Sequence, residues 1–476
     1  MAGTSTKSKL ISGVVWNTLE KVLVKGASFV IGVILARLLA PDDYGLLGML
    51  AVFISISQVF IESGFAKALI QKKDCNDVDY STAFYANIII SILVYWVMFG
   101  IAPLVAKFYE EPLLKDLLRV LSINIVIGSI NIVQRANLMA KVDFKSLAKI
   151  NFWGTFFGGL VGILMAYGDL GVWALVGQTI GSTLIMLFLF PIYSKWHPIW
   201  VFSKDSFKAL FGFGSKLLAT GVVSVIFNNI STVAIGKYYN SAQLGFYTRA
   251  TQFSTFFSNV LYEVIGTVTF PVLSQLQDEE ARMVALYKKS LFYTFLVTAP
   301  IMVMVTLLAK PLILVLLTDK WLPSVVLLQY LCLARLFTPL SAINMNILNA
   351  IGRSDLYMKV DFIKIPLLLI ILVITIPMGV EAIVIGDLIG TGICFFINAY
   401  YPGKLFGYGA IEQLKDWYRI IIAVLIMTIS VVAIVLWMSN PWLQLCIGGL
   451  CGVLVYLLSC YMLGVVDKNT VKELLH

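Results

Sequence analysis

Lys25, Arg249 and Arg335 lie inside apolar stretches of this chain, and Lys216 and Lys364 add two further cations in the same setting. Carboxylates accompany them: Glu20, Glu62, Glu263, Asp361 and Asp387. A charge near the centre of a bilayer costs from about 2.5 to more than 10 kcal/mol depending on the scale, so such groups face a bundle interior or water rather than lipid. The spacing is helical. Asn17, Lys21 and Lys25 recur at every fourth residue, Ser55, Gln58 and Glu62 share one face, and Arg249, Gln252, Asn259 and Glu263 share another. The chemistry open to such faces is anion binding, with Arg suited to bidentate contact with phosphate and Lys acting as a point charge. The carboxylates hold those cations when no anion is present, or exchange ions with water. The competing reading is purely structural, with interhelical ion pairs and side chains reaching an interface, and it suits Lys21, Arg119, Arg135 and Lys216 best.

Bond-making chemistry has little support. The six cysteines form no CxxC pair, and the two histidines, His197 and His476, cannot form a catalytic or metal cluster. The cysteines read as small apolar fillers. A net charge of +9 is dispersed over helix ends rather than gathered in a patch, which argues against nucleic acid as a partner.

The elements that must position these charges are membrane helices. A mean hydropathy of +0.90, with 59% hydrophobic and 13% charged residues, does not fit a soluble domain. Apolar length, Pro and Gly punctuation and charged flanks place fourteen spans, near 12–38, 43–64, 81–106, 115–138, 146–167, 170–193, 207–236, 242–272, 287–309, 324–350, 357–377, 379–401, 417–437 and 442–463. The connections are too short to fold into a catalytic domain. Basic residues concentrate in alternate connections, among them Lys72, Lys73, Lys141, Lys195, Lys204, Arg282, Arg353 and Lys404, and by the positive-inside rule these face the cytoplasm. Both termini then face the cytoplasm, and the amino terminus, which lacks the pattern of a cleavable signal, is expected to be retained.

The chain also repeats. Residues 37–46 match 237–246 in character, Leu117–Leu121 parallels Leu327–Leu331, and Asn137–Asp143 parallels Asn349–Asp355. These correspondences predict an all-α polytopic protein of two six-helix lobes, 1–195 and 196–405, with two further helices in 406–476. Six is even, so the lobes enter the membrane in the same sense and form a parallel pseudo-twofold repeat. Gly154, Gly158, Gly159 and Gly162 are read as close-packing positions, and Pro300, Pro339 and Pro366 as bends within helices.

The opening Ser12-Gly13-Val14-Val15-Trp16-Asn17, the run Ala36-Arg37-Leu38-Leu39-Ala40-Pro41-Asp42-Asp43-Tyr44-Gly45-Leu46 and the run Gly64-Phe65-Ala66-Lys67-Ala68-Leu69-Ile70-Gln71 resemble bacterial polysaccharide exporters. More narrowly, the chain is similar to Wzx-type flippases, especially those of the colanic-acid and teichuronic-acid exporter branch, within the multidrug/oligosaccharidyl-lipid/polysaccharide superfamily. The resemblance implies translocation of an oligosaccharide on undecaprenyl pyrophosphate, from the cytoplasmic to the periplasmic leaflet of the bacterial inner membrane, by alternating access through a cationic central cavity. It implies a monomer without cofactor, with membrane lipids and polysaccharide assembly proteins as partners. Coupling to H+ or Na+ fits the family, and the sequence does not identify the ion. A multidrug exporter of the same superfamily is the nearest alternative, though it favours a carboxylate-rich cavity. A membrane polymerase or ligase of lipid-linked sugars is a more distant one.

Overall fold

The computed structural model describes residues 23–62, 68–69, 75–276 and 279–465. Glu20, Lys21 and Asn17 lie outside these residues, as do the side chains of Glu62, Lys216, Asn259 and Glu263. The chain divides into two compact units, Met1–Gly245 and Phe246–His476.

The first unit consists of α1 (23–38), α2 (Pro41–Glu62), α3 (Asp77–Tyr109), α4 (Leu113–Ala140), α5 (Phe144–Tyr167), α6 (Val172–Ser194) and α7 (Lys204–Tyr238). Three of its helices start where side chains take up unpaired backbone N–H groups. Asn76 and Asp79 form a capping box before α3, Asp143 accepts from the Ser146 N–H at 3.0 Å before α5, and Ser203 accepts from the Ser206 N–H before α7. Within the unit α3 packs on α4, α4 on α6 and α5 on α6, while α7 packs on α2 and α3.

The glycines set how tightly α5 and α6 meet. A Cβ at Gly158 would lie 2.6 Å from the Ser182 backbone N, and one at Gly162 would lie 2.8 Å from the Gln178 side chain. Gly159 turns the other way, onto Ile31 of α1. Close approach of this kind substitutes for a hydrophobic driving force, which lipid does not supply between helices.

The second unit begins in α8 (Ser241–Gln275) and continues through α9 (Glu280–Leu307), the short α10 (Ala309–Leu316), α11 (Ser324–Ala350), α12 (Ser354–Thr375) and α13 (Val380–Phe406). A short α14 (Ala410–Asp416) then leads to α15 (Tyr418–Trp437) and α16 (Pro441–Met462). Here α9 packs on α11, α11 on α13 and α12 on α13. This is the neighbour pattern of α3, α4, α5 and α6, so the duplication read from short sequence matches recurs as a packing pattern. The added helices α15 and α16 pack on each other and both reach α9, where the Tyr456 hydroxyl donates to the Leu296 carbonyl at 2.6 Å. Pro300, Pro339 and Pro366 are each accommodated inside a continuous helix.

Among the described residues, eleven helices are long and apolar enough to cross a membrane, rather than the fourteen expected. The other three expected positions are taken by α1, α7 and α8. The last two carry much of the polar and charged character that the sequence places within the membrane, including Lys216, Asn228, Asn229, Arg249 and Gln252.

Candidate functional site: intramembrane charges and their supports

Arg249 stands two turns into α8, and its residue is 97% removed from solvent, with 3% exposure. Its Nη1 donates to the Gln252 Oε1 at 2.5 Å, so the two polar residues that share a face in the sequence do meet at one helical turn. The guanidinium also lies 5.8 Å from the Trp321 ring centroid, an arrangement that favours a cation. Trp321 is fully buried and holds Phe246 edge-on at 6.0 Å, which fixes the ring against which Arg249 rests.

Arg335 on α11 and Asp387 on α13 form a cross-helix pair, with Nη2 3.8 Å from Oδ2. Both side chains are partly accessible, at 26% and 33%. A contact of that length leaves the guanidinium able to take a further acceptor, and its Nε has no hydrogen-bond partner. Lys364 and Asp361 pair within α12 at 2.7 Å. The two pairs are neighbours: Cys394 on α13 lies within electrostatic range of Lys364, Asp387 and Asp361. The second unit therefore holds two cation–carboxylate pairs, spread over three helices.

In the first unit Lys25 is half-buried on α1 and takes part in interactions there. The neighbouring α1 residues Gly26, Ala27 and Val30 line an apolar groove of about 470 Å³ with Phe152, Phe156 and Leu160 of α5. Arg119, near the start of α4, places its guanidinium 4.0 Å over the Phe99 ring. Among the described residues no group of three or more His, Cys, Asp or Glu could hold a metal ion.

Two buried polar clasps were not singled out from the sequence. In the second unit Gln413 on α14 donates to the Tyr287 hydroxyl at 3.2 Å and to the Asn344 Oδ1 at 3.0 Å, and the Asn344 amide returns a bond to Gln413 at 3.3 Å. Tyr287 itself donates to Asn344. In the first unit the segment after α6 is tied to α3 and α4 in a similar way. Ser194 donates to Gln134 at 2.8 Å, the Trp196 indole to Asp77 at 3.2 Å and the Ile199 N–H to Ser81 at 3.0 Å. Tyr80 meets Trp196 tilted and Tyr287 meets Tyr408 edge-on, each with ring centroids 5.9 Å apart. Gln134 and Asn344 stand 210 residues apart, which is the repeat offset found at Leu117 and Leu327, and that offset was the signal available in the sequence. Each clasp satisfies buried polar groups that would otherwise cost free energy, one fixing the chain leaving α6 and the other the chain leaving α13.

A duplicated, all-helical, multi-pass membrane protein with charge clusters inside its bundles belongs to the architecture of membrane transporters. The chain is a member of the polysaccharide biosynthesis protein family, whose model matches residues 34–326. It is 25% identical over 354 residues to the teichuronic acid biosynthesis protein TuaB of Bacillus subtilis, covering 74% of this chain and 73% of that one. It is 23% identical over 363 residues to the lipopolysaccharide biosynthesis protein WzxC of Escherichia coli, covering 76% and 74%. Among solved structures it resembles the lipid II flippase MurJ in an inward closed conformation, with a TM-score of 0.75 at 17% identity over 95% of this chain and 98% of the other. It also resembles an inward-facing multidrug resistance transporter of the MATE family, with a TM-score of 0.61 at 14% identity over 82% and 96%. These two likenesses concern the fold.

Proposed function

We propose that the protein is a flippase that carries oligosaccharide or polysaccharide repeat units linked to undecaprenyl pyrophosphate from the cytoplasmic to the periplasmic leaflet of the bacterial plasma membrane. The observation that carries the reading is the Arg335–Asp387 pair, a guanidinium held loosely by a carboxylate within membrane-length helices of a chain from this family. A pyrophosphate competes with one carboxylate for such a guanidinium, because it offers more acceptor oxygens and more charge. The names of the relatives, which concern teichuronic acid and lipopolysaccharide biosynthesis, support a glycan cargo.

In this reading Arg249 and Arg335, with Lys25, Lys216 and Lys364, engage the lipid phosphates in turn during alternating access. Asp361 and Asp387, with Glu20, Glu62 and Glu263, balance those cations between cycles or exchange H+ or Na+. The protein moves its cargo without making or breaking a covalent bond and without a cofactor. It works as a monomer with both termini in the cytoplasm, beside polysaccharide assembly proteins. Its functional repeats are 1–195 and 196–405, with 406–476 as an added helical pair.

Leaflet exchange of undecaprenyl-pyrophosphate-linked oligosaccharide in reconstituted vesicles tests the proposal, with wild type compared against Arg249→Ala. Exchange by the wild type and a loss of about tenfold or more in correctly inserted Arg249→Ala is expected, since a charged hydrogen bond contributes roughly 1.5–3 kcal/mol. Absence of exchange by folded wild type across several glycans and both ion gradients overturns it.

A further inference from the structure

In the second unit, the start of α15 and the end of α16 meet α9 and α14 around a polar niche of about 250 Å³. Its lining includes Lys415, Asp416, Tyr418 and Arg419, with Phe292 from α9 and Gly464 just beyond α16. These are span ends: Tyr418 opens one membrane-length helix and Met462 closes the next. The niche therefore sits at headgroup depth, where α15 enters the bilayer and α16 leaves it.

The walls are held from behind. Trp417, between Asp416 and Tyr418, is fully buried and stacks on Phe295 with centroids 4.3 Å apart. Gln413, one turn earlier, is locked into the Tyr287–Asn344 clasp. The Asp416 carboxylate accepts from the Tyr408 hydroxyl at 2.7 Å, which engages the one acidic group in the lining. The Arg419 Nε donates to the Tyr418 hydroxyl at 2.8 Å, and its Nη1 lies 3.5 Å from the Gly464 carbonyl. Gly464 adopts φ +63°, and the Val465 N–H returns to the Cys460 carbonyl at 2.9 Å, so the carbonyl beside Arg419 is set by a left-handed helix end. With Nη2 not engaged in these contacts, and with Lys415 exposed beside it, the niche presents an excess of positive charge.

Below Arg419, toward the bilayer, the surface turns apolar. Ile422 and Ile426 follow it at helical spacing on α15, and Leu458 and Met462 lie on the last turns of α16; all four are exposed. A cationic recess over an exposed apolar track fits an amphiphile with a phosphate head. We propose that this niche binds the headgroup of an anionic phospholipid such as phosphatidylglycerol, with its phosphate on Arg419 and Lys415 and its acyl chains along α15 and α16. At about 250 Å³ the recess has room for a phosphate bearing a glycerol-sized group. The site is separate from the charges assigned to transport and does not depend on that assignment.

Native mass spectrometry of the protein released from nanodiscs of phosphatidylglycerol or phosphatidylcholine tests this site. Wild type is expected to retain one more phosphatidylglycerol than Lys415→Gln/Arg419→Gln, with an occupancy about tenfold higher, and to show no such difference in phosphatidylcholine. Lys415→Gln alone removes an exposed side chain, leaves the fold intact and is expected to lower occupancy measurably. Equal phosphatidylglycerol retention by wild type and the variants overturns the proposal. So does equal retention of the two lipids, or displacement by millimolar glycerol phosphate, which would assign the niche to a soluble phosphate compound.

Discussion

Gly45 and Gly245 make reciprocal contacts: a Cβ at Gly45 would collide with the carbonyl of Ser241, and a Cβ at Gly245 would collide with the carbonyl of Pro41. Ser241 opens α8 and Pro41 opens α2, so each glycine, four residues into its helix, lets the first residue of the matching helix pass against bare backbone. The Ser241 hydroxyl donates to Asp42 at 2.6 Å at the same crossing. The resemblance between residues 37–46 and 237–246 thus corresponds to a physical contact between the two copies of the motif.

Substitution of either glycine by alanine forces this crossing apart. A cost of about 1–3 kcal/mol is expected, as for overpacking of a close-packed core, with a lowered unfolding midpoint in detergent. Because both glycines serve one crossing, the double variant should cost less than the sum of the singles. An unchanged midpoint in both singles would show that the helices can separate freely here.

The Lys237 Nζ lies 2.9 Å from the Glu110 Oε1, and this hydrogen bond, with the lysine's charge, holds the Glu110 carboxyl below its ordinary value of 4.5. A lowered folded-state value means that the pair contributes its stability fully above about pH 4.5 and loses it as the pH falls through the lowered value. Wild type and Glu110→Gln should differ in unfolding midpoint at pH 7 and converge in acid. The effect should be small, since both groups reach water, and it should shrink in high salt. A difference that grows in acid would contradict this account.

Removal of Arg335 leaves Asp387 without its cross-helix cation. Arg335→Ala is expected to lower stability by about 1 kcal/mol, and the double variant Arg335→Ala/Asp387→Asn to recover most of that loss. Transport should remain at least about tenfold reduced in both if Arg335 binds the lipid phosphate as proposed. Recovery of transport together with stability would reduce Arg335 to a structural role, and vesicle exchange measured beside thermal unfolding separates the two cases.

Gln413→Leu strips partners from two buried groups, the Tyr287 hydroxyl and the Asn344 amide. The expected cost is about 1–3 kcal/mol, larger than for the exposed neighbour Glu412→Ala. Hydrogen exchange should show early opening of α14 in this variant. Protection equal to wild type would mean that aromatic packing alone holds the segment.

The sequence by itself determined the membrane architecture and the duplication. Hydrophobic length and charge exclusion act locally along the chain, so the positions of the long helices from α2 to α16 follow closely from residue type, while the short α10 and α14 do not. Polar spacing within one helix was also legible, as Arg249 and Gln252 show, because a helix converts spacing directly into proximity. What the tertiary structure decided were partnerships between helices: Arg335 with Asp387 rather than with a neighbour on α11, Gln413 with Tyr287 and Asn344, and Gly45 against Ser241. Those contacts depend on which faces of distant helices are brought together, and many side-chain arrangements satisfy the same hydrophobic pattern. Close packing of the bundle selects one of them.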